Sequence, residues 1–151
     1  MKLYRLGILL LLGAIILLFN TQAWSIDPVF NQRGIAIKGY DPVAYFTDDK
    51  PIKGDPNYAH QWMGTSWQFA SNSNLESFVN NPEKYAPQYG GYCAYAASSG
   101  YVASTDPNAW TIYNGKLYLN YSTSIRKRWS KNKDEHITSA DKNWPGLKGG
   151  S

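Results

Sequence analysis

The chain has 151 residues, 15 of them basic and 11 acidic, with a formal net charge of +4 and one cysteine. That length holds one domain of ordinary size, and one cysteine excludes an internal disulfide framework. Residues Lys2 and Arg5 account for part of the surplus; from residue 24 onward there are 13 basic and 11 acidic residues, a net of +2. So small an excess argues against a nucleic-acid partner.

The first 23 residues read as a leader. Lys2 and Arg5 form a positive start, Leu6 to Phe19 is an apolar run, and Asn20 to Ala23 is polar and ends small. This is the layout of a secretory signal peptide, with cleavage expected after Ala23 or after Ser25. The run is shorter than the roughly 20 residues that span a bilayer; an uncleaved leader would be the one route to a membrane. Export to the periplasm or medium is the expectation. Residues 24–33 read as a linker or extended N-terminal arm, 34–147 as the folded domain and 148–151 as a flexible tail.

Within the domain, Gly34 to Gly39 predicts a short strand, and Tyr40-Asp-Pro42 a turn in which Asp41 caps the following backbone. Val43 to Phe46 is the next apolar run. Tyr58 to Met63 and Ser66 to Ala70 predict a hairpin about Gly64-Thr65, with Trp67 and Phe69 on one face by the two-residue period. Ser73-Asn-Leu-Glu76 has the spacing of a capping box and predicts a short helix that Asn81-Pro82 ends, followed by one more turn over Pro82 to Tyr85. Trp110 to Leu119 predicts a second hairpin about Asn114-Gly115, a pair suited to the two positive φ values of a tight turn. From Ser122 the spacing turns helical through Ile125, Trp129, Ile137 and Ala140, and Asn143-Trp-Pro-Gly146 predicts a stop. Strands that do not alternate regularly with helices predict an α+β fold: a small antiparallel sheet built from hairpins, with two to three packed helices. Six Trp and eleven Tyr follow residue 23, enough aromatic area to fill a core or to line a cleft.

Several words of this sequence resemble the YHS domain: Gly39-Tyr-Asp-Pro-Val-Ala-Tyr-Phe46, Trp67-Gln-Phe-Ala-Ser71, and Phe78 with Asn81-Pro-Glu-Lys-Tyr85. The continuation Ala86-Pro-Gln-Tyr-Gly-Gly-Tyr-Cys-Ala-Tyr95 and the later Ala140-Asp-Lys-Asn-Trp-Pro145 are similar to an exported bacterial branch of that family. The resemblance spans about Gly34 to Pro145. It implies association with heavy metals, copper foremost, through cysteines that follow the Asp-Pro-Val word and the aromatic strand. The matching positions here carry Ala44, Ala70 and Asn74, none of them a ligand for a soft metal, so any metal site in this chain would be a relocated one.

The remaining soft and imidazole donors are Cys93, His60, Met63 and His136. A closed zinc site wants four ligands, mostly Cys and His, and neither Cys-x-x-Cys nor His-x-x-x-His occurs. A copper site could use Cys93, His60 and Met63; the last two would lie on opposite faces of a regular strand unless the turn at Gly64 joins them. Alternatively, Cys93 as thiolate with His60 as base would make a thiol enzyme. In the thiol reading Gly90 and Gly91 would offer bare backbone N–H groups to an anion or oxyanion, and Tyr92 and Tyr95 beside them are further candidate ligand-binding residues. In the third reading Cys93 is packing and the protein is an interaction module. His136 lies in a polar stretch and reads as solvated. Arg126, Lys127, Arg128, Lys131 and Lys133 form a basic cluster, either solvated or meeting anionic lipid headgroups or an acidic partner. The leading expectation is a non-enzymatic accessory domain that binds a transition metal, with a protein partner as the alternative.

Overall fold

The computed structural model describes residues 25–149; the predicted leader and the last two residues lie outside them. Its strands are β1 (Asn31–Gln32), β2 (Ile35–Ala36), β3 (Asp55–Trp62), β4 (Thr65–Phe69), β5 (Asp106–Tyr113) and β6 (Lys116–Asn120). Its helices are α1 (Ala44–Thr47), α2 (Asn72–Asn80), α3 (Pro82–Tyr85), α4 (Ala94–Ser98), α5 (Thr123–Trp129) and α6 (Lys133–Gly149). The class is α+β as expected. The sheet is mixed, however: order β1-β2-β4-β3, with β2 parallel to β4 through Ile35 and Ser66, while β5 and β6 pair separately as an antiparallel hairpin. Six α-helical segments stand among the described residues where two to three were expected, because the short stretches Ala44–Thr47, Pro82–Tyr85 and Ala94–Ser98 each close a turn or slightly more of helix.

β6 divides two cores. Its two-residue period sends Leu117 and Leu119 to one side and Tyr118 to the other. On the first side they join Trp67, Phe69, Phe78, Tyr45, Val43 and Ile37. On the second, Tyr118 meets Tyr89, Trp129, Ala94, Ala97 and Ala140. Each fully buried side chain of this size contributes about 1.5–3 kcal/mol. Asn120, two residues past Tyr118, belongs to the second side and has no exposed surface.

Three local expectations are corrected. The cap of α2 is Ser71, whose Oγ accepts the Asn74 N–H at 3.2 Å, rather than Ser73, which lies inside the helix. The β3–β4 turn is Met63-Gly64, both at positive φ (50° and 73°), one residue earlier than predicted. The last helix does not stop at residues 143–146 but runs through Pro145 to Gly149. An internal proline costs a helix roughly 3 kcal/mol. Packing on both sides of it offsets this: Trp144 rests against the rings of Tyr89 and Tyr92, each at 5.9 Å, and Leu147 against the second core. Lys148 and Gly149 are therefore helical rather than tail.

The segment before β1 is clamped. Val29 is buried, the Phe30 N–H donates to the Gly90 carbonyl at 2.8 Å, and the Tyr92 hydroxyl donates to the Asp27 carbonyl at 3.0 Å. Gly90 is required at this crossing: a Cβ there would lie 2.2 Å from the Pro28 carbonyl oxygen.

Candidate functional site

Cys93 immediately precedes α4. Its N–H donates to the Ala103 carbonyl at 3.0 Å and its carbonyl accepts the Ala97 N–H at 2.9 Å. Cys93 is 1% exposed, and its sulfur has two polar neighbours. The thiol lies 3.6 Å from Asn120 Oδ1, to which it donates, and the Tyr121 N–H donates to the sulfur at 3.3 Å. Asn120 Oδ1 also accepts the Tyr95 N–H at 3.1 Å, so one buried amide fixes both the thiol and the start of α4. Asn120 Nδ2 is buried with no partner among the described residues.

The other sequence candidates lie in different surroundings. His60 is the cross-strand partner of Trp67, and its ring meets Phe78 at 6.5 Å on the first core. Met63 sits at the hairpin tip, 50% exposed. It borders a cleft of about 230 Å³ with Trp62, Trp67, Trp144 and Gly90. Cys93 borders a separate pocket of about 360 Å³ on the second core. No hydrogen bond or ring contact joins Cys93 to His60 or Met63 among the described residues. Nor do three or more His, Cys, Asp or Glu side chains cluster among those residues.

Tyr92 and the two glycines have packing partners. The Tyr92 ring packs tilted against Phe30 at 5.5 Å and holds the N-terminal arm, and the Gly91 carbonyl accepts the Thr105 hydroxyl at 2.7 Å. Tyr95 does line the Cys93 pocket. His136 is half-buried rather than solvated: its ring meets Tyr95 at 5.0 Å and Nδ1 lies 3.2 Å from Ser98 Oγ. Sequence reasoning missed this because α4 folds back onto α6, a contact without a local signature.

A second polar centre surrounds Asp41, which has no exposed surface. Oδ1 accepts the N–H groups of Val43 at 2.8 Å and Ala44 at 3.3 Å; Oδ2 accepts the Ala70 N–H at 2.8 Å and Asn74 Nδ2 at 2.7 Å. One carboxylate thus ties α1, the end of β4 and α2 together. The turn-capping role was legible; the reach to Ala70 and Asn74 was not.

Residues 43–89 match the family model described as YHS domain. Over that stretch the chain is similar to the YHS domain. No curated protein and no solved structure matches the chain significantly. The YHS match covers α1, β3, β4, α2 and α3, a shorter stretch than the one over which the sequence words coincide, and it ends four residues before Cys93. The positions at which the resemblance implies thiolates, Ala44, Ala70 and Asn74, converge in space on Asp41. A carboxylate has about four lone-pair directions, and four N–H donors occupy them. The residues present do not fit a metal at this point of the YHS domain: the one anionic group is saturated, and two of the three surrounding positions are alanines.

Burial, with Tyr40, Asp106 and Asp41 adding to it, pushes the Tyr45 phenol far above the ordinary tyrosine range. Burial and then the hydrogen bond to Asp141, at 2.9 Å, do the same for Tyr89. Both are core groups held in the protonated form.

Proposed function

We propose that this protein is an exported, non-catalytic YHS accessory domain that acts by binding, with its ligand site in the pocket beside Cys93. Export rests on the basic start and apolar run of residues 1–23. The observation that carries the binding reading is the pocket itself. Its 360 Å³ are lined by Tyr95, Tyr101, Tyr121, Ile125 and Arg128 around Cys93, a mostly apolar wall with a few polar groups, as ligand pockets have.

A thiol enzyme is disfavoured because a general base must reach its nucleophile within about 3 Å, and the neighbours of the Cys93 sulfur are an amide oxygen and a backbone N–H. Copper binding, the finer reading that the YHS domain suggests, would have to pair Cys93 with a donor brought by the ligand or by another molecule, since His60 and Met63 lie elsewhere.

Alkylation of Cys93 by iodoacetamide and titration of the purified protein with Cu(I) and Cu(II) test this. The expected result is slow alkylation at pH 7 that accelerates in urea, and no stoichiometric copper site. A thiol that reacts fully at pH 7 with an ionisation midpoint below neutrality would establish the enzyme reading instead. One equivalent of copper, lost in Cys93→Ala, would establish the metal reading.

A further inference from the structure

We infer that the pocket beside Cys93 takes a small anion with a flat aromatic body, such as an aryl carboxylate, whose charge meets Arg128; this rests on the binding reading above. Tyr101 and Tyr121 are 53% and 58% exposed. Large aromatic residues left this open are uncommon in a molecule that buries most of its other rings. Both stand at one pocket, with Tyr95 as the third ring and the small residues Ala96 and Ala103 leaving depth between them.

Charge selects the ligand class. Within the basic cluster, Arg126 is spent on Thr111 Oγ1 at 3.1 Å and on the Trp110 ring, and Lys133 on the Ser130 carbonyl and the Tyr113 ring. Arg128 is exposed at the pocket, and no hydrogen bond or ring contact engages its guanidinium among the described residues. Among the described residues, no acidic side chain lines the pocket. A guanidinium presents paired donors that match a carboxylate, and phenol rings offer faces to a second ring. The volume lies near the lower end of ligand pockets, which favours a small molecule over a peptide.

The test uses the full chain and calorimetric titration with 4-nitrobenzoate, beside its neutral counterpart 4-nitrobenzamide and beside acetate. One-site saturation by 4-nitrobenzoate is expected at low millimolar concentration or below, with the amide and acetate each at least about tenfold weaker, the scale of one charge-assisted hydrogen bond. Arg128→Gln should weaken 4-nitrobenzoate about tenfold and leave the amide unchanged. Tyr121→Ala should weaken both, and bound 4-nitrobenzoate should slow Cys93 alkylation. Both positions are exposed, and thermal melts confirm that the variants remain folded. Equal binding of benzoate and benzamide, lost in Tyr121→Ala, would overturn the anion assignment while leaving a ligand pocket in place. Saturation by an acidic peptide with none by either aryl probe would overturn the small-molecule class. Failure of every probe at this pocket, with Cys93 unprotected, would overturn the site itself.

Discussion

Replacing Asp41 by Ala should cost more stability than any other single polar substitution in the YHS segment and its approach. The side chain is fully buried and accepts four hydrogen bonds. Alanine leaves four donors behind. Two of them, the N–H groups of Val43 and Ala44, belong to fully buried residues that water does not reach, whereas Ala70 and Asn74 are partly accessible and can be rehydrated. An orphaned buried donor costs about 1–3 kcal/mol, so two of them with modest losses at the others give about 3–5 kcal/mol. For a domain of this size that lowers the melting temperature by about 10–20 °C. Asp41→Asn keeps one acceptor for Val43 and Ala44 but turns an NH2 group toward Ala70 N–H and Asn74 Nδ2; about 2 kcal/mol is expected. Asn74→Ala should cost about 1 kcal/mol, and the Asp41→Ala/Asn74→Ala pair should fall short of the sum by at least about 0.5 kcal/mol, as residues in one network do. Urea unfolding followed by tryptophan fluorescence measures all of these, with an unchanged denaturant slope as the check that unfolding stays two-state. A loss below about 1 kcal/mol for Asp41→Ala, or an Asp41→Asn protein as stable as the parent, would refute the argument that this carboxylate ties three elements together.

Two further expectations concern backbone and pH. Gly90→Ala should destabilise clearly more than Gly115→Ala. Both sit at positive φ (60° and 73°), but a Cβ meets the Pro28 carbonyl oxygen at 2.2 Å in the first case and nothing within 4 Å in the second. Positive φ alone costs about 1–2 kcal/mol, so equal losses in urea melts would contradict the clamped arm. Stability should hold as pH rises to about 10 and fall above it. Unfolded tyrosines ionise near pH 10 while Tyr45 and Tyr89 keep their protons when folded, which amounts to about 2.7 kcal/mol per pH unit for the two groups well above that point. Absorbance at 295 nm should then show these phenols ionising only as the protein unfolds; their complete titration by pH 11 in folded protein would count against it.

Where short-range chemistry decides, the sequence is readable. Asn114 and Gly115 form the turn of β5 and β6 at φ 49° and 73° because few other pairs accept that geometry. The two-residue period of Trp67 and Phe69 places both in the core. Ser71 and Ser73 both carry hydroxyls near the start of α2, and the choice between them follows from where β4 ends, which is a tertiary fact. Pro145 reads as a stop because the partners that hold its helix together, Tyr89 and Tyr92, lie more than fifty residues away. The parallel pairing of β2 with β4 leaves no mark in strands of two and five residues. At the candidate site, Cys93 and Tyr95 stand out by composition. Arg128, Tyr101 and Tyr121 join them only because α5 and the loop after α4 converge there.

Because the sole thiol, Cys93, is buried in the native molecule, its accessibility doubles as a clock for opening. A denatured chain in air can pair that atom only with one from another denatured chain. Covalent dimers on a non-reducing gel would therefore accumulate as a tally of past excursions from the native state, in stored samples no less than in heated ones.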